Sequence, residues 1–131
     1  MKKLSAISDQ LSVFVAVSLL AAVCGCASLE TTAYRTIGAV AVTVDGAMNA
    51  WGDYVRAGHA TASDETVVRA AYDHYQQTMR TLHVAVTAYK LDEASNAGAL
   101  KTALDTMGAA ADELVALVNQ RAGARSAPLQ E

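Results

Sequence analysis

Three histidines, four methionines, two cysteines and thirteen acidic side chains are the groups of this 131-residue chain through which chemistry could pass. A metal or hydrolytic site needs several of them converging on one face. His59 falls in a stretch without periodicity, and His74 and His83 stand nine residues apart, which on a helix puts them half a revolution out of phase. No carboxylate and histidine pair repeats at the spacing that di-iron bundles use. Met48, Met79 and Met107 could each offer a haem an axial sulfur, yet all three fall on apolar stripes where core packing accounts for them. A Cys-x-x-Cys-His attachment motif is absent. Asp45, Asp53 and Asp73 are single outward carboxylates, and neither a Gly-x-Ser-x-Gly elbow nor a phosphate loop occurs. The expectation is a protein without catalytic residues, metal or cofactor, and not an enzyme. The eight basic residues after Cys26 are scattered singly in a chain of formal charge -3, so nucleic acid is not an expected partner.

The cysteines carry the most specific pattern. Lys2 and Lys3 give the chain a positive start, Asp9 follows, and residues 11–23 form an uncharged apolar run. As a helix that run would be about 20 Å long, short of the roughly 30 Å hydrocarbon core, so it reads as an export signal rather than a permanent span. It ends in Val23-Cys24-Gly25-Cys26. This resembles the lipobox of bacterial lipoproteins: an aliphatic residue, two small residues and an invariant cysteine, with Cys24 standing where Ala, Ser or Thr is commoner. The resemblance covers residues 1–26 alone. It implies cleavage by signal peptidase II before Cys26, a diacylglycerol on the Cys26 thiol, and acylation of the new amino group.

Removal of residues 1–25 takes Cys24 away and leaves Cys26 as the single thiol, so no intramolecular disulfide is available. The remaining domain must rely on its core, which is feasible at this size. Acyl chains at about 0.8 kcal/mol per buried CH₂ make membrane residence effectively permanent. The competing reading is ordinary cleavage after Ala27, which releases a soluble chain. Ala27 and Ser28 follow the cysteine in place of Asp, which by the sorting rule of enteric bacteria favours the outer membrane, periplasmic face.

The elements that would position any site are helical. A single proline and few β-branched clusters outside the first 25 residues leave little turn and strand chemistry. Tyr34, Ile37, Ala41, Val44, Met48, Trp51 and Val55 follow one another at alternating steps of three and four, a sustained helical stripe. The first predicted helix covers 32–57, capped by Thr31 or Thr32 and ended by Gly58. Val68, Tyr72, Tyr75, Met79, Leu82, Val86 and Tyr89 predict a second over 64–90, with Ser63 as its N-cap. Ala97, Leu100, Leu104, Met107, Ala111, Leu114 and Val118 predict a third over 96–121. The eight-residue step from Tyr89 to Ala97 breaks phase, and Asp92 and Glu93 suit a helix start, so a turn is placed at 91–96; one continuous helix over 64–121 is the alternative.

The expected fold is all-α: an antiparallel three-helix up-down-up bundle with heptad-like packing, on a tether of residues 26–31 and followed by a disordered tail at 122–131. So short a tether puts the start of the first helix and the turn between the second and third near the membrane. Partner contacts are then sought at the other end, at His59, Ser63 and the tail. Gly38 and Gly52 fall on one heptad position fourteen residues apart, where they would admit a helix of this chain or of a second copy. The leading functional reading is a non-catalytic binding or structural module of the cell envelope, with an envelope protein or itself as partner. A phage- or prophage-encoded envelope lipoprotein for lysis or exclusion is a second reading, and small-ligand or haem carriage a third.

Overall fold

A computed structural model describes residues 28–123, and the expected signal segment, Cys26 and the residues beyond Gly123 lie outside them. Three helices, α1 (Leu29–Arg56), α2 (Ala62–Leu91) and α3 (Glu93–Gly123), account for nearly all of the described chain. Their boundaries correct the sequence reading at each start. Helix α1 begins three residues earlier than expected because Ser28, rather than Thr31 or Thr32, caps it: the Thr31 amide donates to the Ser28 hydroxyl at 3.2 Å. Four of the six residues of the expected tether, 28–31, are therefore spent on the cap and first turn. Helix α3 also runs past its expected end, taking in Ala122 and Gly123.

The second correction concerns α2. Its N-cap is Thr61 and not Ser63. The Asp64 amide donates to the Thr61 hydroxyl at 3.1 Å while the Thr61 amide donates to the Asp64 carboxylate at 3.1 Å. This is the reciprocal capping box, with Asp in the place Glu or Gln more often holds. Ser63 lies inside the first turn and is exposed. At the end of α1, Gly58 takes φ +74°, its amide donates to the Val55 carbonyl at 2.9 Å, and the His59 amide donates to the Tyr54 carbonyl at 3.3 Å. These two bonds make the Schellman closure expected of a glycine at that position.

The turn between α2 and α3 is shorter than the predicted 91–96. One residue, Asp92, separates the helices, in extended conformation at φ -152°, ψ 94°. Its amide donates to the Ala88 carbonyl at 3.1 Å and closes α2, while its carboxylate accepts the Ser95 amide at 3.2 Å and opens α3. Asn96 stitches the break by donating to the Ala88 and Asp92 carbonyls at 3.1 and 2.9 Å. The continuous-helix alternative is thereby replaced by a hairpin.

Cross-helix pairs fix the register. Asp64 meets Arg121, His74 meets Glu113 and Ala88 meets Asn96, so α2 and α3 run antiparallel, descending on one as they ascend on the other. The Lys90 ammonium lies 5.2 Å from the Tyr34 ring centroid, which puts the start of α1 beside the end of α2. The up-down-up bundle is the observed topology. Its core contains Val44, Val68, Leu82, Leu100, Met107, Leu114 and Val118, each essentially inaccessible to water. Full burial of each such side chain stabilises by about 1.5–3 kcal/mol.

The pairing is not uniform. The α2 and α3 backbones approach closely along their length, helped by Ala103, Ala110 and Ala111 on the α3 seam. Helix α1 stands further off, and its buried positions include Trp51 and Tyr54, long enough to span a wider gap. Tyr34, the first residue of the predicted α1 stripe, is 49% exposed, whereas neighbouring Ala33 is buried. A helix of 3.6 residues per turn carries a strict heptad repeat off its seam by about 20° per heptad, so the ends of a three-heptad stripe drift to its edge.

Candidate functional site

The end of the bundle formed by the α1–α2 loop and the last turns of α3 holds the densest set of polar and aromatic contacts. Trp51 stacks on Tyr54 with ring centroids 5.5 Å apart, and the His59 ring lies 5.6 Å from Tyr54 at 44°. The Schellman turn delivers His59 there, because its amide bond to Tyr54 brings it back over the helix end. At the same end, in the first turn of α2, sits Asp64, a residue only 6% exposed. Its Oδ2 accepts from the Thr61 hydroxyl at 2.8 Å as well as from the Thr61 amide, and its Oδ1 accepts from Arg121 Nη1. The Thr61 hydroxyl bond, then the Thr61 amide bond, hold the Asp64 carboxyl below its ordinary value; Arg121 adds to this and burial opposes it.

Asp64 joins the start of α2 to the end of α3 across 57 residues of sequence. The sequence alone shows it only as an acidic residue favouring the helix start. The signal that could have found it is Thr61-x-x-Asp64 ahead of an apolar stripe, which the Ser63-Asp64-Glu65 run obscures. Thr78 likewise escapes sequence reasoning. It is 7% exposed within α2, and its hydroxyl is satisfied by the Tyr75 carbonyl at 2.8 Å. Burial, more than any charge, raises the Tyr75 phenol above its ordinary value, with Asp45 and then Tyr72 contributing.

The candidate partner residues do not come together. His59 and Ser63 are exposed at the α1–α2 end, whereas Gly38 and Gly52 lie along α1. A Cβ built on Gly38 meets nothing within 4 Å, and one on Gly52 meets only the Arg56 guanidinium at 4.0 Å. The described part of this chain therefore sends no helix against either glycine, which removes the intramolecular half of that expectation. Cys26, the expected lipid acceptor, lies outside the described residues.

Two open grooves run along the α2–α3 hairpin. One is lined by Val67, Ala71 and His74 against Glu113 and Leu117, the other by Thr78 and Thr81 against Thr102 and Thr106. His74 Nδ1 stands 3.8 Å from Glu113 with both side chains more than half exposed, a contact open to water. Of the three methionines on the apolar stripes, Met107 is wholly buried and Met48 and Met79 are half-buried.

Chemically, the α1–α2 end has little reactivity on offer. Both Asp64 oxygens already accept hydrogen bonds, so this carboxylate is a tie between helix ends rather than a proton acceptor waiting for substrate. Among the described residues no three of His, Cys, Asp and Glu come together as metal ligands, and no helix is long and apolar enough to cross a membrane. Comparison with family models, with curated proteins and with solved structures found no match to this chain.

Proposed function

We propose that this protein is a lipid-anchored helical module of the bacterial cell envelope, held by acylated Cys26 and acting without catalysis, as a binding or structural element. The observation that carries the reading is the Val23-Cys24-Gly25-Cys26 sequence at the end of an apolar run that is too short to span a bilayer. Two features support it. The first is that α1 is capped at Ser28, two residues beyond Cys26, so a folded domain would start directly at the lipid. The second is the state of the polar side chains: Asp64 and Thr78, the buried ones among the described residues, are both hydrogen-bonded, and they serve packing.

The α1–α2 end, about 40 Å along α1 from its start, is the surface this reading offers to an envelope partner or a second copy. The test is metabolic labelling with palmitate in cells that carry the full chain. Label should enter the wild type and not Cys26→Ala, and inhibition of signal peptidase II should accumulate the unprocessed precursor. An unlabelled wild-type protein that washes from membranes in buffer would overturn the reading.

A further inference from the structure

The large apolar side chains that the described bundle leaves in water are Tyr34, Val42, Val67, Val84 and Leu91. They are unevenly placed. Tyr34 lies in the second turn of α1 and Val84 and Leu91 in the last quarter of α2, which the antiparallel register brings to the same end of the bundle, while Val42 stands at the midpoint of α1. Val67, the least exposed at 37%, is alone in the other half. Leu91 is the extreme case, 85% exposed at the tip of the α2–α3 turn. Val84 and Leu91, seven residues apart, share the outer face of α2.

Three residues carry the backbone from Cys26 to Leu29, roughly 10 Å at most, and Tyr34 follows within two turns of the same helix. The opposite end of α1 is about 40 Å further along. On the lipid-anchored reading, an acyl chain on Cys26 would leave the start of α1 within reach of the bilayer, and the Lys90–Tyr34 contact puts the end of α2 beside the first turns of α1. Lys90 reaches over the Tyr34 ring there, an aromatic and ammonium pair of the kind that settles at headgroup level with its apolar parts turned inward. The turn carries Lys90 against Asp92 and Glu93, so no basic excess draws it to anionic lipid, and the attraction left is apolar.

We propose that the α2–α3 turn seats on the bilayer surface through Leu91, with Tyr34 and Lys90 at the headgroups, so that the bundle stands on its lipid anchor and on this tip together. The proposal rests on the lipid-anchored reading above. Its test places a nitroxide on Ala94→Cys, an exposed position in the same turn, in the lipidated protein bound to phosphatidylcholine vesicles. Its accessibility to oxygen and to a water-soluble nickel chelate is compared with that of Ser63→Cys at the other end.

The label at 94 should favour oxygen, the label at 63 the chelate, and Leu91→Asp should return the label at 94 to water without loosening the anchor. A label at 94 that sits in water while the protein stays on the vesicles overturns the seating and leaves the anchor standing. The same holds if Leu91→Asp changes nothing, or if a photoreactive group at 94 captures a protein or a second copy in native envelopes instead of lipid. A free Cys26 thiol, with protein lost from the vesicles, overturns both.

Discussion

Replacing Gly38 and Gly52 together with alanine separates two accounts of helix α1. Glycine inside a helix costs about 1 kcal/mol relative to alanine, because its backbone surrenders more freedom on folding. At Gly38 the added methyl meets nothing within 4 Å, and at Gly52 it reaches only the Arg56 guanidinium, at ordinary van der Waals distance. Neither site opposes the change, and the two lie fourteen residues apart along one helix, far enough for their effects to add. The double variant should then be more stable by about 2 kcal/mol, raising the melting temperature of a domain of this size by roughly 8–16 °C. Helical circular dichroism during heating measures it. Native-state hydrogen exchange should show α1 amides slowed by about thirtyfold, the same 2 kcal/mol expressed as an equilibrium constant. An unchanged or lowered melting temperature would refute the reasoning, since it would mean that the space beside these glycines is occupied when the protein folds. A gain in stability accompanied by loss of self-association would instead assign the glycines to a second copy.

Two further outcomes test the caps and the tie between helix ends. Thr61→Ala should cost about 1 kcal/mol in denaturant unfolding while Ser63→Ala stays within about 0.5, and the reverse order would return the N-cap to Ser63. Asp64 and Asp92 both have carboxyls held below the ordinary 3.8, the first chiefly by Thr61 and the second by Ser95, so their contribution is complete above that value and is lost as pH falls below it. Acid unfolding should therefore steepen below about 3.8, and Asp64→Asn should flatten that limb while leaving neutral-pH secondary structure intact; an acid limb identical in the variant would remove Asp64 from the account.

The bundle is legible in the sequence because its cause is periodic. Leu82, Leu100, Met107 and Leu114 are buried where alternating steps of three and four place them, and burial of such stripes is the main force that packs helices together. What periodicity cannot report is which of two adjacent hydroxyls caps a helix. Thr61 prevails over Ser63 because Asp64, three residues on, can answer its amide and also reach Arg121, a partner that only the folded register supplies. The turn near Asp92 is legible from the phase break and from Asp and Asn as turn residues, but its single-residue length is not, because it depends on the bonds of Asp92 to Ser95 and of Asn96 to Ala88 that only the folded hairpin supplies. Of the α1–α2 end, Gly58 and the placing of His59 are legible from turn chemistry. The aromatic row behind them is not, because stripe positions do not state which rings touch.

The two ends of the bundle are built on different principles. At the α1–α2 end a Schellman turn, a capping box and the Asp64–Arg121 pair close the structure with bonds internal to the chain. At the other end Asp92 and Asn96 satisfy the backbone, but Leu91 is left 85% exposed and Tyr34 half exposed. Exposed leucine is ordinary when solitary; here Tyr34 and Val84 are exposed toward the same end of the bundle as Leu91. A module held by acyl chains alone could pivot freely about Cys26. On the proposed seating, a bundle that also rests on an apolar tip would present its opposite end, with His59 and Ser63 exposed there, at a set height above the membrane, and that height is what the proposed module would offer an envelope partner.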